Sequence, residues 1–191
     1  MASGEAQVCK SPELLLGFSN NQTALPFGSF ARLISGPYHP GIEVGYGFNW
    51  RERTHFDFFQ RIHAGYLYHR FAQHGIPVYT IAGIRYKAGS RLNVEVGLGG
   101  GYFHAIPATA VVRLNEKGEY VNGKGIGRPQ AMIQFELRAS YLIGKPDSKK
   151  IRLFASYKQR LQTPFVKSYV PLLPYNILEI GIIRSISSSK K

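Results

Sequence analysis

A closed, antiparallel, up-and-down transmembrane β-barrel of about eight strands is the all-β fold that the sequence predicts. Three observations point to it. Apolar and polar residues alternate with period two through most of the chain. The links between the alternating segments are alternately short and long. No apolar run approaches the ~20 residues that a membrane-spanning helix needs. Hydrophobic residues fill 44% of 191 positions while mean hydropathy is only −0.15, so the apolar residues are dispersed among polar ones. Aromatic residues at 13%, regularly spaced, exclude a disordered chain.

Taken in chain order, the first strand is the least patterned and is expected in 27–34, mainly because the count requires it. Segment 42–50 is the clearest: Ile42, Val44, Tyr46, Phe48 and Trp50 share one face, with Glu43, Gly45, Gly47 and Asn49 on the other. Segment 56–68 sets Phe56, Phe58, Ile62, Ala64, Tyr66 and Tyr68 against Asp57, Arg61 and His63. Segment 76–88 sets Val78, Ala82, Ile84 and Tyr86 against Gly83, Arg85 and Lys87. Segment 92–102 sets Leu92, Val94, Val96, Leu98 and Tyr102 against Asn93, Glu95, Gly97 and Gly99. In 131–143 Ile133, Phe135, Leu137 and Tyr141 oppose Gln134, Glu136, Arg138 and Ser140. In 151–161 Ile151, Leu153, Ala155 and Tyr157 oppose Arg152, Ser156, Lys158 and Arg160. Segment 175–186 closes the series with Leu178, Ile180 and Ile182 opposite Glu179 and Gly181.

The links 51–55, 89–90 and 144–149 are short and rich in turn residues; 35–41, 69–75, 105–129 and 162–174 are longer. Short turns at one end and long loops at the other are how bacterial outer-membrane barrels are built. Within 105–129, the runs 109–114 and 119–121 around Asn115-Glu116-Lys117-Gly118 read as a hairpin projecting beyond the membrane. The expected division is an N-terminal tail 1–24, one barrel domain 25–186 and a C-terminal tail 187–191.

Alternation alone does not say which face is inside. A soluble barrel holding an apolar ligand would turn Val44, Phe48 and Leu137 inward. The polar face argues for the opposite. Five acids (Glu43, Asp57, Glu95, Glu136, Glu179) and six bases (Arg61, Arg85, Arg138, Arg152, Lys158, Arg160) share it with seven glycines, as a neutralising ion-pair network in a narrow lumen would. Tyr and Trp gather at strand ends, where membrane interfaces hold them. Eight strands enclose just enough space for their own side chains, so a porin-like channel is not expected.

The formal net charge of +13 points first to nucleic acid, but the basic residues are spread over the whole chain with no basic helix, zinc-finger spacing or RNP-like run. They gather instead at the two predicted rims, where outer-membrane lipid and lipopolysaccharide phosphates are the expected partners. Cys9 is the only cysteine and excludes an intrachain disulfide; 1–10 carries no apolar signal core, so a mature form is expected. Gly97-Leu98-Gly99-Gly100-Gly101 lacks the Lys-Ser/Thr of a phosphate loop and reads as a glycine-rich strand. No metal or cofactor site is expected.

The alternation, short turns and dense aromatics resemble the small outer-membrane barrel superfamily that includes outer-membrane protein A and the lipid A deacylases. The run Gln162-Thr163-Pro164-Phe165-Val166-Lys167 with Pro171-Leu172-Leu173-Pro174 resembles small barrels of the Bacteroidota group. The deacylase resemblance implies a His and a Ser two residues apart late in the penultimate strand. Here that strand reads Ala155-Ser156-Tyr157-Lys158-Gln159-Arg160-Leu161-Gln162, with a Ser, no His, and a parity that puts Ser156 in the lumen. The first expectation is therefore a non-enzymatic anchor, scaffold or subunit of an envelope assembly, with other envelope proteins as partners. The alternatives are a lipid A or phospholipid hydrolase, with His69 and His104 as its first suspects, and the soluble barrel.

Overall fold

Alternating strands have one apolar and one polar face. An antiparallel sheet of them satisfies all its backbone groups in lipid only when its two edges meet. The computed structural model describes residues 10–25, 28, 30–70, 72–109, 112–122, 125–144, 151–165 and 171–186, and Cys9 lies outside them. Its elements are β1 (Lys10–Thr23), α1 (Arg32–Ser35), β2 (Pro40–Glu52), β3 (Phe56–Tyr68), β4 (Gln73–Ala88), β5 (Leu92–Pro107), β6 (Val112–Leu114), β7 (Tyr120–Asn122), β8 (Arg128–Ile143), β9 (Ile151–Thr163) and β10 (Leu173–Ser185). Eight strands close in the order β1-β10-β9-β8-β5-β4-β3-β2, every pair antiparallel. β6 and β7 form the separate hairpin expected in the long link.

The apolar face points outward. Val44 is 53% exposed, Leu137 39% and Ile133 57%, whereas Arg61, Lys158 and Arg160 are 1% exposed or less. The soluble reading fails on this point, because Val44 and Leu137 line the outer wall. The lumen does hold two apolar clusters, one built on Phe59, Tyr79, Ile81, Phe103 and Met132, the other on Leu15, Phe154 and Ile183. Inward glycines make room for them: a Cβ at Gly97 would run into Ile81, and one at Gly75 into Phe103.

Two expectations are corrected. The first strand is Lys10–Thr23, not 27–34, so 10–23 belongs to the barrel rather than to a tail. The link 69–75 is also shorter than expected: β3 and β4 are joined by 69–72 alone, with His69 N–H donating to the Gln73 carbonyl.

The β1–β2 connection explains the first correction. Its residues Leu25, Gly28, Phe30 and Leu33 lie as a strap against the outer wall of β1, β10 and β9, and its last residue, His39, turns in at the rim. Asn20 Nδ2 donates to the Leu33 carbonyl at 2.9 Å, and Asn176 Nδ2 to the Leu25 and Gly28 carbonyls. Phe30 packs on Tyr157 of β9 at 5.4 Å between ring centroids, and Leu33 of α1 is buried. Beneath the strap the wall is polar: Tyr157 Oη donates to Asn176 Oδ1, and Gln159 Nε2 to Tyr157 Oη.

Candidate functional site

Charged side chains are tolerated inside a barrel when each finds its counter-charge. Here they fall into two layers. In the layer nearer the short links, Arg85 reaches Glu13 through two hydrogen bonds of 2.9 and 2.6 Å and Glu95 at 2.6 Å. Arg61 pairs with Glu95 at 2.7 Å and lies 3.6 Å from Glu13. Asp57 takes Lys87 at 2.7 Å and lies 3.9 Å from Arg85. Three acids thus face three bases.

The second layer is also three against three. Lys158 bridges Glu43 at 2.6 Å and Glu179 at 2.7 Å. Arg160 reaches Glu43 at 2.8 Å, and Arg138 binds Glu136 and lies 3.7 Å from Glu179. Tyr79 Oη donates to Glu43 at 2.6 Å and Ser156 Oγ to Glu179 at 2.9 Å. His63 stacks on Tyr79 at 4.9 Å, with Nδ1 4.0 Å from Glu43. Aromatic faces separate the cations: Arg61 lies 4.2 Å over Phe59 and Arg138 4.3 Å over Phe154.

Above them an uncharged layer fills the outer mouth. Gln73 Nε2 donates to Gln162 Oε1 at 2.7 Å and to Tyr175 Oη at 3.1 Å, and Gln162 in turn bonds Gln130. At the rim His39 and His69 stack at 3.8 Å and 16°, with Tyr175 edge-on to His69 at 6.0 Å. Burial pulls the His69 imidazole down to about 4, with His39 adding to the effect; burial and then the Arg70 charge lower His39.

Of the eleven residues expected in the lumen network, ten sit in these layers. Arg152 does not: its Nη2 donates to the Arg91 carbonyl at the short-link rim, and it forms no ion pair among the described residues. Sequence reasoning missed Glu13, placed in a tail, and left Lys87 out of the network although it shares the polar face of its strand. The missing signal for Glu13 was its parity with Gly17, Ser19 and Asn21, opposite Leu14, Leu16 and Phe18. With Glu13 and Lys87 included both layers are neutral, so the whole formal charge of +13 belongs to rims, loops and ends.

The suspected catalytic histidines are apart and differently employed. His104 faces outward at the upper rim, with Nδ1 2.7 Å from Tyr102 Oη and Nε2 2.9 Å from the Ile126 carbonyl. Tyr66 and His74 repeat that pairing at 2.7 Å. A tyrosine and a carbonyl supply neither the nucleophile nor the acid of a hydrolase triad. His69 belongs to the stack at the mouth, and Ser156 lies inside the lumen, away from lipid. No cluster of three or more metal-ligating side chains occurs among the described residues.

An apolar outer wall, a closed hydrogen-bonded sheet and a paired ionic interior define a transmembrane β-barrel of the outer-membrane kind, located in the bacterial outer membrane. No protein-family model matches the chain, and no curated protein matches it in sequence. Among solved structures it is similar to Neisserial surface protein A, with a TM-score of 0.51 at 10% identity over 92% of this chain and 96% of that one. Two weaker likenesses are the attachment invasion locus protein Ail of Yersinia pestis, TM-score 0.46 at 12% identity over 91% and 96%, and OprG of Pseudomonas aeruginosa, 0.40 at 8% over 93% and 96%. At such identities the first likeness speaks to the fold alone.

Proposed function

We propose that this protein is a non-conducting, non-enzymatic anchor of the outer membrane, a scaffold or subunit that holds its outer connections for an envelope assembly. The observation that carries this reading is the occupied lumen: among the described residues, two neutral ionic layers and an amide layer pack across it with side chains buried from water. The connection between β5 and β8 supports it further. Its hairpin exposes Val112 (61%), Leu114 (62%) and Tyr120 (79%), with Ile126 (88%) beside it. Apolar side chains held out beyond the membrane are what a protein partner covers. Lipopolysaccharide is the lipid partner this reading assigns to the basic outer rim.

The test joins two measurements. Refolded protein in a planar bilayer is expected to stay electrically silent; stepwise conductance would end the plugged-lumen argument. A photo-crosslinker at Tyr120 in intact cells is expected to give one discrete adduct with an envelope protein. Crosslinks to lipid alone would refute the scaffold role.

A further inference from the structure

On the lipid-facing wall lies an open furrow of about 600 Å³. Its floor is one row of paired residues crossing five strands: Ile182, Leu16, Val44, Ala64 and Val78 are successive partners across β10, β1, β2, β3 and β4. The row is low because Val44 and Ala64 are small. The row beneath it is tall, with Leu14 paired to Tyr46 and Tyr46 to Ile62. The row above is tall as well, with Phe18 paired to Ile42 and Ile42 to Tyr66.

The furrow has a direction. Because the strands tilt, a paired row climbs the wall. Arg184, partner of Leu14, sits one residue from the short-link end of β10, whereas Val78 lies in the outer half of β4. Four inter-strand steps of about 4.8 Å make the furrow about 19 Å long. At a strand tilt of about 40° this row rises about 12 Å along the membrane normal, most of one leaflet's share of the ~30 Å hydrocarbon core, starting from the periplasmic side.

We propose that this furrow binds one phospholipid of the periplasmic leaflet, an acyl chain lying along the Leu16–Val44–Ala64 floor and the phosphate held by Arg184. Complementarity favours this occupant. The lining is mostly apolar; Tyr46 and His63 also border it, His63 from the lumen side where it stacks on Tyr79, and Arg184 is an outward-facing cation that forms no ion pair among the described residues. A long Arg stem can lie along the wall while its guanidinium reaches the head-group level and takes a phosphate in bidentate fashion.

Native mass spectrometry of the detergent-extracted barrel tests the proposal, after reconstitution in nanodiscs of phosphatidylethanolamine and phosphatidylglycerol, with and without lipid A. One phospholipid retained per barrel is expected. Ala64→Phe, which fills the floor, and Arg184→Gln, which removes the charge, should each lower the retained fraction about fivefold or more. Val96→Phe on a distant part of the wall should leave retention unchanged, and heat-modifiable gel mobility reports that every variant is folded. Equal retention in all variants, or retention of lipid A in place of phospholipid, overturns the proposal. So does disulfide dimerisation of Val44→Cys in a Cys9→Ser background in the membrane, which would make a second copy the occupant.

Discussion

Replacing Glu43 by Ala should be the most damaging single change in the lumen. The carboxylate receives Lys158 at 2.6 Å, Arg160 at 2.8 Å and the Tyr79 hydroxyl at 2.6 Å, with 4% of the residue exposed. Lys158 keeps Glu179 at 2.7 Å, so it is not orphaned. Arg160 is: its remaining hydrogen-bond partner is the neutral Gln134 Oε1, at 2.7 Å. A buried guanidinium stripped of its counter-charge costs about 3–5 kcal/mol, and this dominates the loss. Removing the cation as well, in Glu43→Ala with Arg160→Met, should recover more than half of that loss, because no uncompensated charge then stays buried. The assay is urea unfolding in lipid vesicles followed by the single tryptophan, Trp50, which sits exposed at the lower rim and reports the loss of its membrane environment. A single-mutant loss below about 1 kcal/mol, or a double mutant weaker than the single, would refute the layer argument.

Three further outcomes are expected. Glu13→Ala should lower stability by about 2–4 kcal/mol in the same assay, because Arg85 loses a two-bond partner; an unchanged midpoint would return 10–23 to the status of a tail. The His39–His69 stack should make the barrel acid-sensitive. With the folded value of His69 near 4 against 6.5 unfolded, its contribution is complete above about pH 6.5 and is lost as pH falls towards 4. Discounted for solvent at the rim this is about 1–2 kcal/mol. His69→Phe should flatten that slope, and an equal slope in the variant would assign it elsewhere. Finally, Asn176→Ala should loosen the strap, so that trypsin cleaves after the exposed Arg32 several-fold faster than in the parent protein, measured by mass spectrometry of intact barrels. Equal cleavage rates would mean that the strap is held by Leu33 and Phe30 alone.

Most of the barrel was legible because lipid outside and charge inside impose opposite demands on neighbouring residues; 42–50 obeys both throughout, and 131–143 does so but for the inward Met132 and Leu142. β1 was not legible, for a reason the strap supplies. Reading by alternation assumes one environment outside, yet Asn20 faces outward into hydrogen bonds with the strap, while Leu15 faces inward to pack on Phe154 and Ile183. Both residues break the pattern, and both are satisfied. The tight return at 69–72 was hidden in the same way, since inward Gln73 and Gly75 near a polar mouth look like loop residues. The network's membership followed from parity, but its division into two neutral layers depends on strand tilt and register, which no local pattern carries. The furrow is likewise invisible to local reading, because its floor residues lie on five strands.

A barrel is a hoop, and its join is where the two strands most distant along the chain must find each other. Here the join is between β1 and β10. The segment that leaves β1 grips the far side of that join, at Asn176 and Tyr157, and so behaves as a clasp that can fasten only on a finished hoop. Until then the Asn176 amide nitrogen, beside one free edge, lacks the Leu25 and Gly28 carbonyls, and water suits it better than lipid. Fastening the clasp turns that wettable notch into a lipid-compatible wall, which makes ring closure and acceptance by the bilayer one coupled event.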